Sequence, residues 1–137
     1  AGRKRNLQAG NIGLDAMEHI RIGRALSELK HENILVLGSG YSFHNMRALM
    51  EKSDDSIDLK NQEFENWLQG ICCDNKISED ARASKLADWA LAPHARYCHP
   101  REEHLLPLHV CYGLAQKPAT AVFNGKVGGF LTKAYQW

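Results

Sequence analysis

No apolar run in this sequence approaches the roughly 20 residues a membrane-spanning helix needs, and no charged-then-apolar leader opens it. Both absences point to a soluble domain with no membrane partner. An excess of one charge is lacking as well: 17 Lys and Arg stand against 16 Asp and Glu, a formal net charge of +1. A balance that even recruits neither nucleic acid nor an anionic surface. The Arg3-Lys4-Arg5 run is short and terminal, as in a solvated tail. A disulfide framework is missing too, because the four cysteines include the adjacent pair Cys72 and Cys73. That usage fits half-buried thiols in a reducing, cytoplasmic interior. There are no internal repeats and no low-complexity tracts. The chain opens on Ala rather than Met, as a processed product or a fragment would.

What is present fits one domain of 137 residues. Residues 1–15 lack periodicity and read as an irregular lead-in. Asp15 then caps a helix expected through Lys30, with Met17, Ile20, Ala25, Leu26 and Leu29 at helical spacing. Ile34 to Leu37 form a short aliphatic run closed by glycine, which predicts a strand covered on both faces. Helical patterns follow from Asn45, over about 58–73, from Ser78 to Pro93, and after Glu102 up to Gly113. Asn124-Gly125, flanked by Ala121-Val122-Phe123 and Phe130-Leu131-Thr132, predicts a terminal hairpin turning at that dipeptide. Helix, tight turn, buried strand, glycine turn, helix is the order of an α/β layered domain.

Two segments carry chemistry. The expected strand runs into Gly38-Ser39-Gly40-Tyr41-Ser42-Phe43-His44-Asn45, delivering polar side chains to the rim of a sheet, where open α/β folds keep their sites. A dinucleotide fingerprint would need a third small residue where Phe43 stands, and no Gly-Lys-Ser/Thr makes a phosphate loop. Glycines that merely let the chain turn would leave His44 and Asn45 unexplained. The second segment is His99-Pro100-Arg101-Glu102-Glu103-His104-Leu105-Leu106-Pro107-Leu108-His109. Imidazole beside carboxylate suits a divalent first-row metal. The spacing matches neither a zinc finger nor His-Glu-x-x-His, and glutamates opening a helix would serve its dipole equally well. Spacing alone leaves both readings open. His19, His31 and His94 read as structural.

Together, the motif Leu35 to Asn45 and the motif His99 to Leu108 some sixty positions later resemble the class III extradiol ring-cleavage dioxygenases, in the branch of the DOPA dioxygenases. The approach helix Glu18 to Leu26 and the closing strand from Gly128 to Trp137 extend the likeness to nearly everything after residue 16. The resemblance implies an α/β fold with a central mixed sheet flanked by helices, residues 16–137 forming the C-terminal part of such a domain. It implies oxygen-dependent extradiol cleavage of a catechol at a non-haem Fe(II) centre, with zinc possible in place of iron. By resemblance His104 falls on a metal-ligand position. His44 falls on the histidine that handles protons close to the metal, with Asn45 orienting the pocket. His99 stands either in a layer behind the ligands or facing substrate. Members of the branch take two further histidine ligands from an N-terminal half whose motifs are not in this sequence, so the site is expected to be incomplete in this chain alone. A sheet strand missing with it would expose apolar surface and favour a homo-oligomer or pairing with that half. Two alternatives remain: a non-catalytic assembly module that keeps the fold, and a small structural-zinc protein using Cys98, His99, His104 and Cys111.

Overall fold

Helix starts in this protein are written by short polar side chains. The computed structural model describes residues 13–137, so most of the expected lead-in over 1–15 lies outside the described residues. Asp15 caps α1 (Ala16–Ala25), its Oδ1 accepting the Glu18 N–H at 2.8 Å. Asn45 caps α2 (Met46–Glu51), Asp58 caps α3 (Leu59–Cys73) and Ser78 caps α4 (Glu79–Ala87) in the same way. Each takes up an amide that a helix start leaves free, worth about 1 kcal/mol. α5 (Ala95–Cys98) is a single turn. α6 (Leu106–Ala115) opens on Leu106-Pro107, where the missing proline N–H leaves no bond unmade. Three expected boundaries shift. The first helix stops at Ala25 and gives way to a 3-10 turn over Ser27–His31, the helix expected up to Pro93 ends at Ala87 and is followed by a 3-10 turn over Trp89–Leu91, and the helix after Glu102 begins only at Leu106 because residues 101–105 are used in turns.

The core forms where α1 crosses α6. A Cβ on Gly23 would sit 2.1 Å from the Val110 carbonyl oxygen, and one on Gly113 2.1 Å from that of Ile20, so the two helices touch backbone to backbone. Ile20, Leu86, Leu106 and Tyr112 close around this crossing. Arg82 is wholly buried and finishes α3, donating to the carbonyls of Ile71, Cys72 and Asp74 while pairing with Glu79 at 3.1 Å. Placed there, a guanidinium satisfies carbonyls that a helix end leaves free.

β1 (Thr120–Val127) and β2 (Phe130–Gln136) form an antiparallel hairpin. Its turn is Gly128-Gly129, with φ of +58° and +82°. Asn124-Gly125 lies inside β1 instead, opposite Lys133 and Thr132. A two-residue hairpin loop of the mirror type wants positive φ at both central positions, and a glycine pair meets that demand without strain. Asn61 of α3 holds β2 from the side: its Nδ2 donates to the Leu131 carbonyl at 3.0 Å, and its Oδ1 accepts the Leu131 N–H at 2.7 Å.

The class is α/β, helix-rich with a small two-stranded sheet. The strand expected over Ile34 to Leu37 is not laddered: among the described residues the only sheet is β1 with β2. Leu35 and Leu37 are 90% and 82% exposed. The expected strand covered on both faces is thus not formed: a strand exists only through its neighbours, and among the described residues none flanks this segment. The expected central mixed sheet is therefore absent among the described residues. No described helix is long and apolar enough to cross a membrane.

Candidate active site

The chain from Gly38 to His44 lies along the segment 98–107, and its glycines explain how closely. A Cβ on Gly40 would meet the His104 carbonyl oxygen at 2.2 Å, and one on Gly38 would meet the Cys111 Sγ at 2.7 Å. Two backbone bonds fasten the approach: Tyr41 N–H donates to the His104 carbonyl at 3.1 Å, and His44 N–H donates to that of Cys98 at 2.9 Å. Phe43 turns inward and stacks on Phe130 with ring centroids 4.1 Å apart. His44 consequently turns outward. Its ring stacks face to face on that of His104, centroids 3.5 Å apart and planes 19° from parallel. Two imidazoles sixty positions apart in sequence thus share one half-buried place on the surface.

Burial lowers the His44 pKa, and the neighbouring His104 lowers it further, against a backbone hydrogen bond and the Glu103 carboxylate, which raise it. Rings this close cannot both carry a proton cheaply, so near neutrality the pair offers at least one free base.

The other expected site residues lie around the pair rather than in it. His99 is wholly buried, its Nε2 donating to the Ser42 carbonyl at 2.6 Å, with the rings of Phe64 and Trp89 against it. Burial is the main cause that holds it down at about 4, so it stays neutral. His99 is thus enclosed by the core rather than open to solvent. Asn45 has both ends of its amide engaged by backbone: Oδ1 accepts from Ala48 N–H at 3.0 Å, and Nδ2 donates to the Tyr97 carbonyl at 2.7 Å. Its observed work is to clamp α2 and α5 beside His44. Glu102 and Glu103 pair with Arg96 and Arg101 at 2.7 and 2.6 Å, which occupies the carboxylates nearest the histidines. His109 is buried between the carbonyls of Leu86 and Leu105.

The structural-zinc expectation is overturned. Cys98 Sγ faces the Lys60 carbonyl at 3.9 Å, Cys111 packs on Gly38, and His99 is spent on Ser42. Among the described residues no three or more His, Cys, Asp or Glu side chains gather as a metal site. His44 and His104 alone do not fit a catalytic metal either. Such an ion takes three or more protein donors, and the pair offers two.

Two residues of the site were not singled out from sequence. Ser42 receives His99 through its carbonyl and the Lys133 N–H through its Oγ, at 3.0 Å. Glu65 in α3 is fully buried. The available signal was that Glu65 shares a helical face with Asn61, Leu68 and Cys72, an odd place for a carboxylate. Beside the pair, a groove of about 680 Å³ runs past Leu37, Gly40, Tyr41, His104, Pro107 and Tyr135.

The chain is similar to known proteins in sequence and in fold. Residues 9–128 match the family described as the catalytic LigB subunit of aromatic ring-opening dioxygenase. The chain belongs to this family. Among curated LigB relatives it is 34% identical over 117 residues to the 4,5-DOPA dioxygenase extradiol of Mirabilis jalapa, covering 80% of this chain and 39% of that protein. It is 31% identical over 122 residues to the enzyme of the same name from Beta vulgaris, covering 87% and 43%. The chain thus spans about two fifths of the length of these relatives. An uncharacterized protein from Escherichia coli K12 shares the fold with a TM-score of 0.70 at 24% identity, over 86% of this chain and 48% of that one. These likenesses place the α/β domain among the class III extradiol dioxygenases.

Proposed function

We propose that this chain supplies the proton-handling wall of an extradiol dioxygenase site that cleaves a catechol ring with O2, giving a muconic semialdehyde-type product. The observation that supports this reading most is the His44–His104 stack, built by two motifs distant in sequence. In this reading His44 is the acid/base group. Kept neutral by burial and by His104, it takes a proton from a catechol hydroxyl and later returns one during ring opening. By resemblance His104 would serve as one ligand of a non-haem Fe(II), or of zinc in its place, with His44 beside it; the two do not make a metal site by themselves, so the further ligands would have to come from another segment in cis or in trans. Asn45 and His99 act at one remove, holding the backbone that carries His44.

The test is metal analysis together with oxygen uptake on a catechol. Stoichiometric iron with turnover, abolished by His44→Ala, is the expected result for a polypeptide holding a complete ligand set. Metal-free, inactive material under iron supplementation counts against a self-sufficient enzyme. One observation favours the second reading, a non-catalytic assembly module: Leu35 and Leu37 stand almost fully exposed beside the groove. That reading expects an oligomer with no iron and no oxygen uptake, measured by light scattering on the same sample.

A further inference from the structure

From Leu35 to Leu37 neither N–H nor carbonyl pairs with another backbone group among the described residues. The side chains there are apolar, with Leu35 and Leu37 almost wholly exposed and Ile34 half-exposed. Unpaired backbone in an apolar run of strand composition is a template for an added strand. The groove of about 680 Å³ opens beside it: Ile34 to Gly38 line one part, and Lys133 to Gln136 of β2 line another. Its charge is one-sided. Lys30, Lys117 and Lys133 line it with His104, and among the described residues no Asp or Glu does. None of these three lysines forms an ion pair with a described carboxylate, and Lys133 Nζ donates to the Gln69 side-chain carbonyl instead.

We propose that this groove docks a segment of another polypeptide in which apolar and acidic residues alternate, added as a strand to Leu35–Leu37 with its carboxylates on the lysines. Its main chain takes up the free N–H and carbonyl groups of that run. Side chains of a strand alternate between two faces, so one row lies against Leu108 and Leu114 of α6 and the other meets the exposed Lys30 and Lys117. Charge selects this occupant over two others. A second copy of this chain would bring the same lysines against themselves, like charge on like. Residues 1–12 supply Arg3, Lys4 and Arg5 but no acidic residue, so the start of the chain lacks the complementary charge. Because His104 lines the same groove, the docked strand lies next to the histidine pair.

The inference stands apart from the catalytic reading, since binding is read without metal or turnover. The probe is the blocked peptide acetyl-Glu-Val-Glu-Val-Glu-Val-Glu-amide, titrated into the whole labelled chain and followed by NMR. Saturable shifts along the groove are expected, with hydrogen exchange at the Leu35 and Leu37 amides slowed roughly tenfold. Replacing the peptide's glutamates with lysines should weaken binding at least tenfold, and added salt should weaken the acidic peptide as well. In the chain, Lys117→Glu should weaken binding about fivefold, and Val36→Pro, which removes an amide the fold leaves unbonded, should abolish it. Absence of saturable binding, equal affinity for the lysine peptide, or binding with no protection at Leu35 and Leu37 overturns the proposal. So does self-association that protects those amides and resists the peptide, which would make a second copy the occupant, or capture by anionic vesicles in preference to the peptide. Should Val36→Pro not fold, Lys117→Glu decides: weakened binding supports the docked acidic strand and unchanged binding overturns it.

Discussion

Gly23 and Gly40 do the same thing at the two ends of one stretch of backbone. Each lets a neighbouring segment press against the chain between His104 and Gly113 at a distance where no Cβ could stand. Around Gly23 the contact is sealed by Ile20, Leu106 and Tyr112. Around Gly40 it borders the exposed Leu35, Leu37 and Tyr41. The first region is a finished core, whereas the second is one wall of something, and the histidine pair sits on that wall. The difference teaches that close approach alone does not make a core: burial of the flanking side chains does, and that requires neighbours on every side.

The sharpest test of the finished side is Gly113→Val. Its Cβ would fall on the Ile20 carbonyl, so the helices must separate, and a loss of about 3 kcal/mol is expected in urea unfolding. Tolerance of valine there would erase the distinction between the two regions. Gly40→Ala should cost less, about 2 kcal/mol, because the open segment can shift. Its greater effect is on the site: pushed off the His104 carbonyl, the turn is expected to lose the His44–His104 stack, seen as deshielded ring protons.

The effect of pH separates two buried groups on the wall. Glu65 is raised from 4.5 to about 7, so its favourable contribution is complete below the unfolded value and is lost as pH rises through about 7. His99 is lowered from 6.5 to about 4, so its contribution is present above 6.5 and is lost as pH falls through about 4. The Glu65 shift converts to a ceiling of about 3 kcal/mol. Relaxation and water entry leave about 1 kcal/mol as the expected gain of Glu65→Gln over the parent between pH 5 and pH 8, read from urea midpoints. A gain that grows toward low pH would reverse the assignment. The smallest effect belongs to Leu35→Lys, expected within about 0.5 kcal/mol of the parent. A large loss there would show that the open wall is a core after all.

What could be read from the chain follows from how local each feature is. The helix starts at Asp15 and Ser78 were legible because a cap is decided within a few residues. The glycine pair at 128–129 outcompeted Asn124-Gly125 because both dipeptides make good turns, and the choice fell to where Phe130 could be buried. Ile34 to Leu37 show strand composition but not the absence of a partner strand. The meeting of His44 and His104 was legible only by resemblance, since nothing near either residue encodes the other. Glu65 escaped notice because a glutamate in an amphipathic helix reads as a solvent-facing charge until its surroundings are known.

The bond from His99 to the Ser42 carbonyl joins residues 57 positions apart. Closing so long a loop costs chain entropy before any contact repays it, so such contacts form late in folding. The stacked imidazoles are therefore expected to be a reporter of completed folding: in stopped-flow refolding, substitutions at Ser42 should leave the folding rate nearly unchanged and speed unfolding. The helical caps would already be in place while the site was still two separate strands of chain.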